Sequence, residues 1–396
     1  MTGSILAINA GSSSLKFALY DEALAEAVRG EIENLDGAPH FFARDTGGKM
    51  LAEKRWGGAE RPSFTEMLAA VLGFAEAHVA GALAAVGHRI VHGGAEHSAP
   101  ALVTPGLLRA LEALTPLSPL HMPHSLAPIR TIAATRPGLA QVACFDTGFH
   151  STLPHVARTF ALPRAVTDSG VRRYGFHGLS YEYIASVVRR DLPVLAGGSL
   201  VVAHLGSGAS LCALKDGISI ATTMGFSELD GLPMATRCGR LDPGVMLYLG
   251  AQGRSFADLG DMITYRSGLL GVSGISGDVR ALLASAHPHA KEAIALLTYQ
   301  IALETAGMAC ALGGMQGLVF TAGIGEHAPE IRASVCARLG WLGVILDEAA
   351  NAANGFCIST AASRVAVHVI PTDEEAMIAR HTRSLTQAQG PRHANS

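Results

Sequence analysis

The chain has 396 residues, 49% of them apolar and 16% charged, with a formal net charge of −3 at pH 7. That length exceeds one ordinary core and calls for two domains, and the apolar content excludes a disordered chain. No block of Lys and Arg forms a polyanion-binding face, which argues against a nucleic-acid partner.

The start, Ile5-Leu6-Ala7-Ile8, runs into a Gly/Ser turn as a first strand does, rather than as a secretory leader. The pattern predicts a strand from Ser4 to Asn9, a turn from Ala10 to Ser14 and a strand from Leu15 to Tyr20. Phe64 to Val79 has helical period, Val86 to Val91 reads as strand, and Leu107 to Leu114 as helix. Gln141 to Phe145 reads as a strand ending at Asp146, Ser180 to Arg190 as a helix, and Leu192 to Gly198 as a Pro/Gly-marked link. The opening hairpin then recurs: Leu200 to His204, the turn Gly206-Ser207-Gly208-Ala209, and Ser210 to Leu214, with Ser14-Leu15 aligned on Ser210-Leu211. Two such hairpins half a chain apart point to a duplicated domain, and the alternation of strands and helices to an α/β class.

Between Glu292 and Glu326 the only formal charge is Glu304. This stretch is expected to be a buried helix ending near Gly313-Gly314, followed by a strand from Leu318 to Thr321, rather than a membrane span. The tail after Thr386 reads as frayed. The six cysteines include no C-x-x-C pair and read as buried thiols of a reducing cytosol.

Three glycine-rich turns carry possible chemistry. In Asn9-Ala10-Gly11-Ser12-Ser13-Ser14-Leu15-Lys16, small residues let backbone N–H groups and hydroxyls approach a phosphate, and Lys16 can add a charge-assisted contact. The same sequence suits a plain tight hairpin. Gly206-Ser207-Gly208 repeats the device. Ala322-Gly323-Ile324-Gly325-Glu326 reads as a turn before a helix from Pro329 to Leu339, where a nucleotide can sit at the helix N-terminus.

Arg89, in Gly87-His88-Arg89-Ile90-Val91-His92-Gly93-Gly94, and Arg237, in Met234-Ala235-Thr236-Arg237-Cys238-Gly239, each lie in an apolar or glycine-rich run. A guanidinium there needs an anion, either a ligand or a structural carboxylate. His88 and His92 lack the acid that a metalloprotease helix needs, so no metal is expected there. Asp146 closes a strand, as acids of functional crevices do. His177, in Arg173-Tyr174-Gly175-Phe176-His177-Gly178, is placed to donate to a transferring phosphoryl group. Asp373-Glu374-Glu375 can hold Mg²⁺ through oxygen, and equally suits a helix N-terminus.

Together, in this order, these segments resemble the acetate kinase family from Ile5 to about Thr382. The segments are Ile8 to Lys16, Gly87 to Gly94, Phe145-Asp146-Thr147, Arg173 to Gly178, His204-Leu205-Gly206, Arg237 with Asp242-Pro243, Gly323 to Glu326, and Thr372 to Glu375. The resemblance implies the duplicated ribonuclease H-like fold shared by acetate and sugar kinases, Hsp70 and actin, two domains around a nucleotide cleft. The N-terminal domain would take residues 1–148 plus 376–396 and the nucleotide-binding domain residues 149–375. It further implies a cytoplasmic homodimer with no membrane partner, ATP and ADP as co-substrates, and Mg²⁺, with Mn²⁺ as a substitute.

By position, Asn9 and Glu374 resemble the family's metal-associated pair. Arg89 and Arg237 resemble its clamps on carboxylate and phosphoryl group, His177 the hydrogen-bond donor to the transferring phosphoryl group, Asp146 the essential acid and His121 the assisting histidine. Val91, Leu120, Phe176 and Pro233 resemble the pocket for the methyl end of acetate. Lys16, Ser12, His204, Gly206, Ser207, Gly208, Gly323, Ile324, Gly325 and Glu326 resemble nucleotide contacts. The sequence departs from the family at Ser207, usually Asn; at Gly178-Leu179-Ser180-Tyr181, usually G-T-S-H; and at Ala322-Gly323, usually two glycines. The implied reaction is transfer of the ATP γ-phosphoryl group to acetate. Propionate is the near alternative acceptor, and a nucleotide-gated Hsp70/actin-like ATPase the alternative from another class.

Overall fold

The structure, a computed structural model, describes residues 3–388 other than Ser12, Asp36, residues 58–61 and Ala80. The chain forms two compact units. One runs to Gly148 and resumes at Asp373; the other is Phe149–Thr372.

The first unit holds an eight-stranded sheet: β1 (Ser4–Ala10), β2 (Leu15–Tyr20), β3 (Glu26–Glu33), β4 (His40–Asp45), β5 (Met50–Arg55), β6 (Leu83–Ile90), β7 (Ala101–Leu102) and β8 (Ala140–Phe145). Their order across the sheet is β5-β4-β3-β2-β1-β6-β8-β7. β1, β6 and β8 run parallel and β1 to β5 form an antiparallel meander. β1 is central and has no polar face, as a strand covered on both sides requires. β5 is a mostly exposed edge carrying Glu53, Lys54 and Arg55, charges that discourage pairing with another chain.

The helix Phe64–His78 is capped by Ser63 and Glu66 in a reciprocal capping box. Its Leu68, Val71 and Leu72 share a core with Leu6, Ile8, Phe17, Leu19 and Phe41. The last helix, Glu374–Ala388, packs on β1, β6 and β8. Gly87 permits that approach, since a Cβ there would lie 2.2 Å from Thr382 Oγ1. Of the tail after Thr386, expected to be frayed, Gln387 and Ala388 continue the helix, and residues 389–396 lie outside the described residues.

The second unit holds β9 (Ser199–Leu205), β10 (Ala209–Lys215), β11 (Ile218–Thr222), β12 (Gly317–Thr321) and β13 (Ala366–Val369), in the order β11-β10-β9-β12-β13. β9, β12 and β13 are parallel; β9, β10 and β11 form the meander. This repeats β3-β2-β1-β6-β8 strand for strand, so the duplication expected from the two hairpins is present. The register corrects the alignment drawn above. Ser210 lies opposite His204 as Lys16 lies opposite Asn9, so Ser210 takes the ladder position of Lys16, not of Ser14.

Helix Gly178–Asp191 covers one face through Tyr181, Ile184 and Val188. Helix Pro288–Leu312, capped by Gly313 in the left-handed region, packs on β9, β10 and β11. It is long and apolar enough to cross a membrane, but half of its most apolar stretch is buried, with Glu304 and Thr305 inside, as in a core helix. The segment Ala322–His327 is itself a short helix, not the turn expected from its glycines.

Candidate active site

In the first unit the carboxyl ends of three adjacent parallel strands assemble one polar group. Asn9 lies in β1, Arg89 in β6, and Asp146 just after β8. Arg89 Nη2 donates to Asp146 Oδ2 at 2.8 Å, and Nη1 to Asn9 Oδ1 at 3.4 Å. Asp146 is fully buried and Arg89 is 17% exposed, so the carboxylate depends on this guanidinium for its charge balance.

The helix Glu374–Ala388 brings two further acids. Asn9 Nδ2 donates to Glu374 Oε2 at 2.9 Å and to Glu375 Oε1 at 3.2 Å. Burial first, then the neighbouring Asp146 and Glu375, push the Glu374 carboxyl up to about 7, against the opposing pull of Arg89 and Lys16. Lys16 is exposed on β2, opposite Asn9. Arg29 of β3 forms ion pairs with Asp373 at 2.9 Å, Glu375 at 3.4 Å and Glu26.

Of the other residues singled out in this unit, Val91 is buried and Leu120 is 38% exposed. His121 is the residue before helix Met122–Thr135. Ser12 lies outside the described residues. His88 is fully buried against Gln141, 2.8 Å away, and burial lowers its pKa to about 4, which makes it a neutral core histidine.

In the second unit a polar group gathers around the β9–β10 turn. His177, at φ 59° before helix Gly178–Asp191, and His204 of β9 stack with ring centroids 4.1 Å apart. His177 Nδ1 is 2.8 Å from Ser210 Oγ, and His204 Nδ1 is 2.8 Å from Ser180 Oγ. A Cβ placed on Gly208 would lie 2.8 Å from Arg237 Nη2 and 3.3 Å from His177 Nε2, so only glycine lets this turn approach both groups. Arg237 Nη1 also donates to Glu228 O at 2.9 Å.

Gly206, Pro233 and Ile324 line one small apolar cavity with Leu205 and Met234. Phe176 is buried, its carbonyl 2.9 Å from His150 Nε2. Glu326 accepts from Thr372 N at 3.1 Å, and the buried Arg332 donates to Gly325 O and Glu326 O, which pins the helix Ala322–His327. Gly323 is open, with nothing within 4 Å of a Cβ there. Ser207 lies in the turn beside Gly208, its carbonyl accepting from Ala235 N.

The sequence reading missed Ser180, Ser210 and Arg29. The serines gave no signal beyond their place beside the singled-out histidines. Arg29 sits in a strand whose alternation (Val28, Gly30 and Ile32 buried; Arg29, Glu31 and Glu33 outward) was legible but unused.

An acetate kinase of Rhodopseudomonas palustris (strain TIE-1) is 51% identical over 395 residues, covering 96% of this chain and 98% of that one. A propionate kinase from Francisella tularensis superposes with a TM-score of 0.89 at 33% identity, over 97% of this chain and 100% of that one. The acetate kinase of Porphyromonas gingivalis gives 0.86 at 33% identity, over 97% and 100%. The class is therefore a phosphotransferase with a carboxyl group as acceptor. The pattern of the Acetokinase family matches residues 4–380, and the chain belongs to that family.

Proposed function

We propose that the chain moves the γ-phosphoryl group of ATP reversibly to acetate, with Mg²⁺. The observation that carries the reading is the gathering of Arg237, His177 and the Gly206–Gly208 turn, three kinds of donor suited to a phosphoryl group. A carboxylate is ionised at neutral pH, so its oxygen attacks without a general base. What remains is alignment and charge neutralisation of a loose transition state. Arg89, held by Asp146 and Asn9, would orient the acceptor carboxylate. Arg237 and His177 Nε2 would meet the charge that develops on the phosphoryl oxygens.

The carboxylate oxygens of Glu374 and Glu375 suit Mg²⁺: burial, with Asp146 and Glu375 nearby, raises the Glu374 pKa, and a cation relieves that cost; Asn9 turns its Nδ2 to both acids and its Oδ1 to Arg89. Asn9 and Glu374 would hold the ion, which supplies neutralisation of phosphate oxygens. Among the described residues no group of three His, Cys, Asp or Glu forms a metal cage, in keeping with an ion shared with substrate phosphates.

Acyl phosphate trapped by hydroxylamine, with ATP, GTP and pyrophosphate in parallel, tests the reaction and the donor. Arg89→Ala and Arg237→Ala should each lower kcat about 10³-fold. Near-normal kcat in both folded variants would refute the mechanism, and ATP turnover indifferent to acetate would refute the kinase reading. Propionate is favoured as a second acceptor by the Francisella relative, and one methylene is worth only about 1–3 kcal/mol. A carboxylate panel ranked by kcat/KM decides.

We also propose a homodimer in the cytoplasm. Helix Pro243–Ala251 has no buried residue, yet carries Leu247 at 76% and Tyr248 at 63% exposure; Phe256, nearby in sequence, is 95% exposed. Such a face is expected to be covered by a second copy. All six cysteines are free thiols, which suits a reducing compartment.

A further inference from the structure

The histidine named above as hydrogen-bond donor to the phosphoryl group is useful only if its outward nitrogen carries a proton. A neutral imidazole has one N–H, and the partner of the other nitrogen decides which ring atom holds it. His177 turns Nδ1 inward, 2.8 Å from Ser210 Oγ, while its Nε2 borders the Gly208 turn beside Arg237. Ser210 Oγ also bonds the hydroxyl of Tyr181. Ser210 and Tyr181 are both fully buried. Tyr181 lies one helical turn after His177, on a helix whose N–H at Tyr181 bonds His177 O. Three polar groups from the helix Gly178–Asp191, its N-cap and β10 are thus locked in one line.

We propose that Tyr181 and Ser210 are positioning residues that set the tautomer of His177, with Tyr181 O–H donating to Ser210 Oγ and Ser210 O–H donating to His177 Nδ1. The direction follows from acidity: a phenol is a stronger donor than an aliphatic alcohol, and serine has a single proton to give. With Nδ1 accepting, the ring proton is on Nε2. The relay's effect on rate rests on the reading of His177 as donor.

The test uses the full-length enzyme labelled with ¹⁵N-histidine, the His177 signals being assigned by their absence in His177→Gln. Wild type should show a protonated Nε2 and a pyridine-type Nδ1. In Ser210→Ala and in Tyr181→Phe a population with protonated Nδ1 should appear, because Nδ1 no longer faces a committed donor. Ser210→Thr should restore the wild-type pattern. With acetate and ATP, Ser210→Ala should lose about 10- to 100-fold in kcat, the usual cost of removing a partner that fixes a histidine ring, with KM little changed. A protonated Nδ1 in wild type, or an unchanged tautomer in both variants, overturns the proposal. Tyr181→Phe keeps the ring packed and decides the matter if Ser210→Ala fails to fold. If the tautomer shifts as expected but kcat does not, the relay stands and the role of His177 as donor falls instead.

Discussion

Glu374 allows a prediction whose size and sign both come from the structure. Its carboxyl pKa is about 7 in the folded metal-free chain, against an ordinary 4.5. Between these values the folded state binds a proton that the unfolded state has released, so stability falls as pH rises through the window and is unaffected by this group below it. The difference of about 2.5 units corresponds to on the order of 3 kcal/mol of apo stability lost by pH 8. Glu374→Gln keeps the shape and removes the titration. The variant should match wild type near pH 4.5 and become the more stable protein by up to this amount at pH 8, as read from urea unfolding in the presence of a chelator. Mg²⁺ should close the gap at pH 8 by stabilising wild type alone. A difference between variant and wild type that stays constant from pH 5 to 8 would show that Glu374 is ionised throughout, and the crowding argument would fail.

Asp146→Ala leaves Arg89, 17% exposed, without its carboxylate, and should cost about 3 kcal/mol or somewhat less in urea unfolding together with a large loss of kcat. Normal stability would mean that the ion pair is not load-sharing in the folded chain. Gly208→Ala puts a methyl against Arg237 Nη2 and His177 Nε2, so kcat should collapse with little change in melting temperature; full activity would show that the turn moves freely. If the proposed dimer forms through this face, Phe256→Asp with Leu247→Asp should give a monomer in light scattering where wild type gives a dimer, and an unchanged mass would exclude this face as the interface.

How much of this was legible beforehand depends on how local the cause was. The two hairpins could be read because β1, β2, β9 and β10 are apolar and their turns are glycine-rich. β3 to β5 went unread, since their outward charges and brief alternation look like a solvated stretch, and the Arg29 pairs with Asp373 and Glu375 went unread with them. Glycines concealed the helix Ala322–His327, which tertiary contacts such as Arg332 to Gly325 O and Glu326 O hold despite poor intrinsic propensity. Asn9 and Glu374 meet across 365 positions, a contact no spacing rule reaches; only resemblance brought them together in advance. The hydroxyl partners of His177 and His204 were invisible for a related reason, since Ser210 and Ser180 lie 33 and 24 positions away from them.

Both units gather polar groups beside the duplicated sheet, the first at the carboxyl ends of β1, β6 and β8 and the second around the β9–β10 turn, but the two copies have diverged in chemistry. The first collects Asp146, Glu374 and Glu375 around Asn9 and Arg89; the second collects two imidazoles, Arg237 and a glycine turn. A carboxylate-rich strand end suits a cation, and a turn of N–H groups beside imidazole and guanidinium suits an anion. Ligands offered one at a time should therefore mark different copies. In hydrogen exchange, Mg²⁺ alone should slow the amides near Asn9 and Glu374, and inorganic phosphate alone those of Gly206 to Gly208. Phosphate protecting the first set and Mg²⁺ the second would reverse the assignment, because it would put each charge where the structure gathers its like.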